Sequence, residues 1–232
     1  MTEGMSPPPD DIDLGRLFRH WPEFESPKDW RKAGFEILRD KEDKILVVSH
    51  KSAARYLFKK YDSDDYRSPK EQLKKYQSRV AGAALLRSHI INNSLRHVVV
   101  PRKWLCELPA KSSSKGKSPY VVVVERHRIL DVDESKQRYR HIDAETAREM
   151  CTILFAFRGL DFTTRNAPFT RDGKIAFIDT EYVKLNSKKL RSHRKYYQKY
   201  IDSVFSKHRR LAEEVWNELV KTADLKSQMM GT

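Results

Sequence analysis

The chain has 232 residues, with 46 Lys or Arg against 32 Asp or Glu, a formal net charge of +14 and a pI near 9.7. A hydrophobic content of 39% with 10% aromatic residues supports a packed core and excludes a largely disordered chain. The length suits one sizeable domain or two small lobes, and the positive charge favours anionic partners without choosing among nucleotides, acidic proteins, membrane surfaces and nucleic acids. No apolar run approaches a membrane span and no signal peptide is evident, so the sequence predicts a cytoplasmic protein without a membrane span.

The first 127 residues indicate a β-rich region around one long helix. Residues 1–11 are Pro-rich and polar and are predicted to be disordered, and residues 12–40 fit two short helices or a helix and a strand. A long amphipathic helix is predicted over Pro69–Ile91. The predicted strands are Lys44–Val48, Arg55–Tyr61, Val98–Val100, Trp104–Leu108 and Tyr120–Val124, the last with four consecutive valines that indicate burial on both faces.

The second half of the chain is mainly helical, except for one hairpin. Asp143 is a predicted N-cap for a helix whose apolar body runs from Met150 to Phe157. The Arg-Asp-Gly-Lys sequence at 171–174, between two short apolar segments, predicts a β-hairpin. Basic helical sequence follows over Lys188–Arg210, and a last helix is predicted over Leu211–Thr222. Residues 110–118 have the composition of a flexible basic loop.

Three polar residues flank the predicted hairpin. Asp161 is followed five residues later by Asn166, and the second apolar segment of the hairpin leads directly into Asp179. A hairpin between Asn166 and Asp179 would bring these two residues to one end of the two strands. Phosphoryl transfer on the kinase plan needs one carboxylate that orients the attacking hydroxyl, together with an amide oxygen and a second carboxylate that hold Mg²⁺.

This order, Asp161 and Asn166, then a hairpin, then Ile-Asp-Thr-Glu at 178–181, resembles the protein-kinase-like superfamily. It is closer to the aminoglycoside-phosphotransferase branch, and to compact bacterial or effector-type kinases, than to protein kinases with Asp-Phe-Gly. The resemblance implies that Asp161 is catalytic and that Asn166 and Asp179 bind the metal, with Glu181 beside them. Two departures are the Arg-Gly-Leu sequence before Asp161, where those families carry His-Arg or His-Gly, and the absence of a Lys two residues after it.

The resemblance also implies a fold. This is an α+β, two-lobed protein-kinase-like fold with a small β-rich N-lobe over residues 12–127 and a reduced, mostly helical C-lobe over 128–232. Only about fifty residues follow Asp179, and no Ala-Pro-Glu segment is present, so the C-lobe is expected to be minimal.

An N-lobe lysine is expected to contact the nucleotide phosphates. Lys59 is the favoured candidate over Lys60, whose side chain would point to the opposite face of the strand. The turn over 49–54 occupies the position of a phosphate-covering loop but has no glycine, so the polar candidates there are Ser49, Lys51 and Ser52. The segment from Glu125 to His127 resembles the hinge that binds adenine through its backbone.

The sequence of the long helix does not decide which residue pairs with Lys59. Its only acidic residue is Glu71, which could pair with Lys59 or could simply favour the helix N-terminus electrostatically. Gln77 is a weaker candidate partner, and Arg79 is an alternative phosphate ligand.

The two cysteines, Cys106 and Cys151, lie in apolar surroundings and are interpreted as reduced core residues. The histidines lack metal-site spacing and are interpreted as surface or packing residues.

These features lead to two hypotheses. The leading one is an ATP- and Mg²⁺-dependent (or Mn²⁺-dependent) phosphotransferase that transfers the γ-phosphate to a hydroxyl, with a Ser or Thr of an anionic protein substrate favoured over a small molecule. Such a kinase would act in the cytoplasm, or in a host cell as a secreted effector; transfer of AMP is a variant of the same class. The alternative is a pseudokinase or basic binding module that engages an acidic protein or, as the weaker option, nucleic acid.

Overall fold

The chain divides into two units, one of which is discontinuous in sequence. Unit 1 comprises Met1–Ala84 and Pro101–His127, and unit 2 comprises Leu85–Val100 and Arg128–Thr232. The computed structural model describes residues 9–20, 27–39, 45–61, 68–108, 119–185, 198 and 206–229. The predicted basic loop at 110–118 and most of the predicted basic helix at 188–210 lie outside these described residues.

The described elements form an α+β structure, as predicted. The helices are α1 (Leu14–Leu17), α2 (Pro27–Lys32), α3 (Pro69–Asn92), α4 (Val132–Arg140), α5 (Ala144–Ala156) and α6 (Arg209–Met229). The strands are β1 (Phe35–Arg39), β2 (Ile45–His50), β3 (Tyr56–Tyr61), β4 (Val98–Val99), β5 (Lys103–Glu107), β6 (Tyr120–Glu125), β7 (Phe157–Arg158), β8 (Ile175–Ala176) and β9 (Lys184–Leu185). None of the helices in the described ranges combines the length and the apolar character that a bilayer crossing requires.

Unit 1 is organised around a five-stranded antiparallel sheet with the strand order β1-β2-β3-β6-β5. The valine strand β6 lies in its interior and is buried on both faces, as predicted, because alternate valines enter separate clusters. Val121 and Val123 pack with Phe18, Phe35 and Phe58 on one face. Val122 and Val124 pack on the other face with Tyr76 of α3 and other apolar side chains. The Tyr76 hydroxyl accepts a 2.6 Å hydrogen bond from the Tyr61 backbone N–H, which ties α3 to β3.

The prediction of α3 is confirmed to within one residue, and the structure shows why it begins where it does. Ser68 and Glu71 form a capping box: the Glu71 carboxylate accepts from the Ser68 N–H at 3.0 Å, and the Ser68 hydroxyl accepts from the Glu71 N–H at 3.4 Å. The carboxylate also accepts from the Ser68 hydroxyl at 3.2 Å. Of the two sequence interpretations of Glu71, the observed contacts are those of a residue that stabilises the helix N-terminus.

Unit 2 is built on α5, which begins at the predicted N-cap. The Asp143 side chain accepts from the Thr146 N–H and hydroxyl, both at 2.8 Å, and these hydrogen bonds lower the pKa of Asp143. The buried side of α5 packs on α6, where Phe155 meets Trp216 edge to face with ring centroids 5.2 Å apart. The predicted last helix is present but longer than expected, at Arg209–Met229.

Two small sheets in unit 2 were not predicted. β4 pairs in parallel with β8, and β7 pairs antiparallel with β9. Each pair has only two residues per strand, but together they join segments far apart in sequence. The β7–β9 pair encloses the stretch from Gly159 to Val183, which contains Asp161, Asn166 and Asp179.

Candidate active site

Asp161 and Asn166 are joined directly by a hydrogen bond. The Asn166 side-chain amide donates to Asp161 Oδ2 at 2.8 Å. The loop that brings them together is a tight turn at Thr163, whose carbonyl accepts from the backbone N–H groups of Asn166 at 3.0 Å and Ala167 at 2.8 Å. Asp161 is exposed to solvent and Asn166 is half-buried, so the pair presents an accessible carboxylate with a fixed neighbour.

The predicted hairpin follows Asn166 immediately. Its Asp-Gly turn places Gly173 at a φ of 90°, and Thr170 N–H donates to Lys174 O at 2.7 Å across the turn. At the open end, the Ile178 N–H donates to Asn166 O at 2.9 Å. Asn166 therefore lies opposite the residue that precedes Asp179.

Asp179 begins a short turn with restricted side chains. Its Oδ1 accepts from the Glu181 N–H at 3.3 Å, a local bond of the kind that aspartates make in turns. Thr180 is fully buried and Glu181 is 6% exposed, whereas Asp179 itself is half-buried. Along this turn Glu181 is therefore buried, whereas Asp179 remains partly exposed.

A close backbone contact joins the segment before Asp161 to the segment after Asp179. Gly159 has a φ of 78°, and a Cβ at this position would lie 2.0 Å from the Tyr182 carbonyl oxygen. A glycine is thus required for two reasons, the backbone conformation and the space. In the sequence, Gly159 stands out only as part of the Arg-Gly-Leu departure from the family pattern, and this structural role is not apparent there.

Two side chains of helix α4 form hydrogen bonds with the backbone of the first hairpin strand, just after Asn166. The buried Tyr139 hydroxyl donates to Ala167 O at 2.5 Å, and the Ser135 hydroxyl accepts from the Phe169 N–H at 3.2 Å. Burial raises the pKa of Tyr139, so the phenol remains a neutral donor. α4 is itself held by a capping box between Asp131 and Glu134.

Glu149 of α5 holds the backbone just before β4, the strand that pairs with β8 of the hairpin. Its carboxylate accepts from the backbone N–H of Arg96 at 2.8 Å and of His97 at 2.6 Å, and it lies 3.1 Å from His97 Nδ1. His97 O in turn accepts from the Ile175 N–H at 2.8 Å, at the start of β8. His97, Glu145 and Glu149 lie close enough to share a cation, but the observed bonds of Glu149 identify it as the anchor of β4. No local sequence signal indicates this role of Glu149.

Asn166 and Asp179 have the donor chemistry that Mg²⁺ or Mn²⁺ requires. Both offer hard oxygen ligands, an amide oxygen and a carboxylate. Because the Asn166 amide nitrogen points to Asp161, Oδ1 is the atom that this side chain has left to offer a cation. The residues present therefore fit a divalent cation.

In unit 1, Lys59 and Lys60 occupy opposite faces of β3. Lys59 is half-buried, and its neighbours in register are Val47 and Val122. Lys60 is 7% exposed and donates to Tyr120 O at 3.2 Å. The alternation predicted from the sequence is present, and it directs Lys59 to the face on which α3 packs.

The polar turn of unit 1 contains a short 3₁₀-helix, Lys51–Ala53. Lys51 and Ser52 are exposed, and the Ser52 N–H donates to His50 Nδ1 at 3.2 Å. Ser49 lies in β2 instead, is 3% exposed and donates its hydroxyl to Glu36 Oε2 at 3.0 Å. Of the three predicted phosphate contacts, Lys51 and Ser52 are accessible, whereas Ser49 is engaged with β1.

The predicted hinge, from Glu125 to His127, begins at the last residue of β6. The Glu125 carboxylate accepts from the Arg102 N–H at 3.2 Å and lies 3.8 Å from His127 Nε2. The Glu125 and Arg126 N–H groups donate to Arg102 O and Arg55 O, so both are used within unit 1.

A scan against protein-family models and a search of curated proteins found no match to this chain.

Proposed function

We propose that this chain is an ATP-dependent phosphotransferase with a protein-kinase-like fold that uses Mg²⁺ or Mn²⁺ and transfers the γ-phosphate to a hydroxyl. The observation that carries the proposal is the framework of unit 2. Asp161 and Asn166 are directly hydrogen-bonded, and the Asn166 backbone is hydrogen-bonded to the residue before Asp179. A carboxylate, an amide and a second carboxylate in this order are the groups that kinase-type transfer requires.

Asp161 is the proposed base or orienting group for the acceptor hydroxyl. It is exposed, so a substrate hydroxyl can reach it, and the Asn166 amide holds one of its oxygens. The second carboxylate oxygen would accept the hydrogen bond of the attacking hydroxyl and then its proton.

Asn166 and Asp179 would hold the cation, which supplies positive charge against the phosphate oxygens when it is bound. The protein contributes rigidity to these two ligands. The turn at Thr163, the hairpin and the Gly159–Tyr182 contact fix the backbone on both sides of them. Ligands held in advance do not have to be ordered during the reaction.

Unit 1 supports the proposal through Lys59. It lies on the third strand of an antiparallel sheet, the position of the phosphate-binding lysine in protein kinases. A Ser or Thr of an anionic protein is the proposed acceptor because the net charge of +14 attracts anionic partners and opposes cationic ones.

One observation favours the second candidate, a pseudokinase or basic binding module. The turn at 49–54 has no glycine, and the Ser49 hydroxyl is buried against Glu36. A turn that cannot approach phosphates closely would bind a nucleotide weakly.

The first test is substitution of the two carboxylates. Asp179→Asn should lower the rate of phosphate transfer by at least about 10²-fold, because the neutral amide lacks the negative charge with which the carboxylate would bind the cation. Asp161→Asn should lower the rate by about 10²-fold or more while nucleotide still raises the melting temperature. Phosphate transfer from γ-labelled ATP to a mixed protein acceptor, and ATP hydrolysis without acceptor, measure these effects.

Asp172→Asn is the matched control, because it makes the same chemical change in the hairpin turn and an Asn-Gly turn is equally favourable. It should transfer phosphate at the wild-type rate. Wild-type rates in both site variants would refute the assignment, and a wild-type protein with no ATP-dependent thermal shift would favour the binding module.

A further inference from the structure

A cavity of about 310 Å³ lies within unit 1, at one end of its five-stranded sheet. Three of the residues that line it come from neighbouring strands: Tyr56 is the first residue of β3, Glu125 is the last of β6, and Trp104 lies near the start of β5. Pro9 and Asp10, from the segment before α1, line it as well. Its volume is at the lower end of the range for small-molecule sites, which is about 300–1,000 Å³.

The cavity is on the face of the sheet opposite to α3 and Lys59. Tyr56 and Trp104 pack with the apolar cluster that contains Val123, whereas α3 packs with the cluster that contains Val122. Lys59 follows Tyr56 by three residues along β3, so its side chain points to the other face. The cavity is therefore separate from the face that carries the proposed phosphate-binding lysine.

Two aromatic rings give the cavity an apolar wall. The Tyr56 and Trp104 rings meet edge to face, with centroids 5.9 Å apart and an interplanar angle of 74°. The Tyr56 hydroxyl donates to Asp11 Oδ1 at 2.7 Å, which ties this ring to the segment before α1. Trp104 is half-buried, so part of its indole surface is accessible to a ligand. An aromatic surface of this kind favours another ring, packed edge to face or offset.

The charged residues around the cavity are balanced in sign, with two arginines, Arg55 and Arg102, and two acids, Asp10 and Glu125. Arg55 lies 3.3 Å from Asp11, and Glu125 accepts from the Arg102 backbone N–H at 3.2 Å. Among the residues that the structure describes, the Arg102 guanidinium and the Asp10 carboxylate have no hydrogen-bond or ion-pair partner. Two carboxylates oppose a polyanion and two guanidinium groups oppose a simple cation, so a ligand of this cavity should carry both charges.

We propose that this cavity binds a free amino acid with an aromatic side chain. The carboxylate of the ligand would accept from the Arg102 guanidinium, its ammonium group would donate to Asp10, and its ring would pack on Trp104. A guanidinium group suits a carboxylate because it can donate to both oxygens at once. The proposal does not rest on the function proposed above, because none of these three residues takes part in the proposed phosphate transfer.

Titration calorimetry on the full-length protein tests each recognised group with a probe that lacks it. L-Phenylalanine should bind. N-Acetylphenylalanine lacks the ammonium group, phenylalaninamide lacks the carboxylate, and L-alanine lacks the ring. Each of these three should bind about tenfold more weakly or less, since a hydrogen bond between charged groups and the burial of a ring each contribute at least that factor.

Two substitutions assign the recognised groups to residues. Arg102→Gln should weaken L-phenylalanine binding by about tenfold or more and should no longer distinguish it from phenylalaninamide. Asp10→Asn should weaken it to a similar degree and should no longer distinguish it from N-acetylphenylalanine. Arg31→Gln and Glu107→Gln are the matched controls, because they remove one charge of each sign from exposed positions of unit 1 outside the cavity, and both should bind as wild type does.

Asp10 and Arg102 are exposed, so neither substitution disturbs the core, and circular dichroism verifies that each variant is folded. Any of three results would overturn the proposal. These are no binding of L-phenylalanine at millimolar concentrations, equal binding of all four probes, or unchanged affinity for L-phenylalanine in folded Arg102→Gln and Asp10→Asn proteins.

Discussion

His89 has a buried environment that couples the stability of this fold to pH. Its ring packs edge to face on Phe157 of β7, with centroids 4.9 Å apart. Its Nε2 is buried and has no hydrogen-bond partner among the described residues. Burial lowers the pKa of His89 below its usual value of 6.5. The neutral imidazole is the form that this packing accommodates.

The stability of the fold should therefore decrease on acidification through the range just below pH 6.5. In that range the unfolded state binds more protons at His89 than the folded state does, so the free energy of unfolding rises with pH until His89 is neutral in both states. His50, whose pKa is also lowered by burial and by Lys51, acts in the same direction. Urea unfolding midpoints between about pH 5 and pH 7.5 measure the effect.

His89→Phe should flatten this pH dependence, because an apolar ring packs on Phe157 without a proton to gain. The contribution of His50 should remain and gives the residual slope. An identical pH dependence in wild type and His89→Phe would show that the buried imidazole is not a source of acid sensitivity.

The two cysteines show a residue-scale prediction that the structure confirms. Cys106 and Cys151 are both free and buried, and burial raises the pKa of each thiol to about 12. Such thiols stay protonated near neutral pH. Their apolar neighbours in the sequence were sufficient to indicate this, because burial follows from local hydrophobicity.

At the scale of elements, a single substitution at Gly159 is expected to disturb the β7–β9 pair. This pair closes the segment that contains all three proposed catalytic and metal-binding residues, and next to it the Gly159 backbone lies close to the Tyr182 carbonyl. A side chain at position 159 would displace the backbone on one side of Asp161 or on the far side of Asp179.

Gly159→Ala should destabilise the protein by about 1–3 kcal/mol and lower any phosphotransfer activity by more than the loss of folded protein explains. Gly15→Ala is the matched control, because a Cβ there would meet only Asp13 Oδ1, at 3.4 Å. Urea unfolding and the transfer rate per folded molecule are the measurements. Wild-type stability and rate in Gly159→Ala would mean that the contact with Tyr182 is not required.

The elements that could be predicted from the sequence are those with local signals. The alternation in β3, the four valines of β6, the Asp143 cap and the Asp-Gly turn each act over a few residues. β4 and β8 lie within predicted strand segments, but their pairing could not be predicted because the two are distant in sequence. β7 and β9 were missed entirely, because strands of two residues carry no periodicity. The role of Glu149 depends on one of these pairs, so it was hidden for the same reason.

The candidate site shows the same division. The sequence predicted that the backbones of Asn166 and Asp179 lie close together, because the two ends of a hairpin are adjacent where its strands open. The hydrogen bond from Ser49 to Glu36 was not predictable, because it requires β2 to pair with β1. The sequence of residues 12–40 gave a strand in that region as only one of two options.

At the scale of the whole molecule, the net charge of +14 does not by itself distinguish the enzyme from the binding module. A charge of this size attracts any polyanion, and its effect is screened over about 10 Å at 0.1 M salt. Weak oligonucleotide binding is thus expected from either kind of protein. The discriminating quantities are the affinity at physiological salt and the response to ATP.

The full-length protein should bind a duplex or single-stranded oligonucleotide only weakly at physiological salt, with a dissociation constant of about 10⁻⁶ M or higher and a steep loss of affinity as salt increases. Replacing Lys188, Lys189, Arg191, Arg194 and Lys195 with Gln should reduce that salt slope, since fewer counterions are released. ATP hydrolysis should change little, because the groups proposed to bind and activate the nucleotide are Lys59, Asn166 and Asp179. Fluorescence anisotropy over a salt series, with a thermal-shift measurement with ATP and Mg²⁺ beside it, gives both quantities. Tight oligonucleotide binding at physiological salt without any ATP-dependent thermal shift would reject the phosphotransferase in favour of a nucleic-acid-binding module.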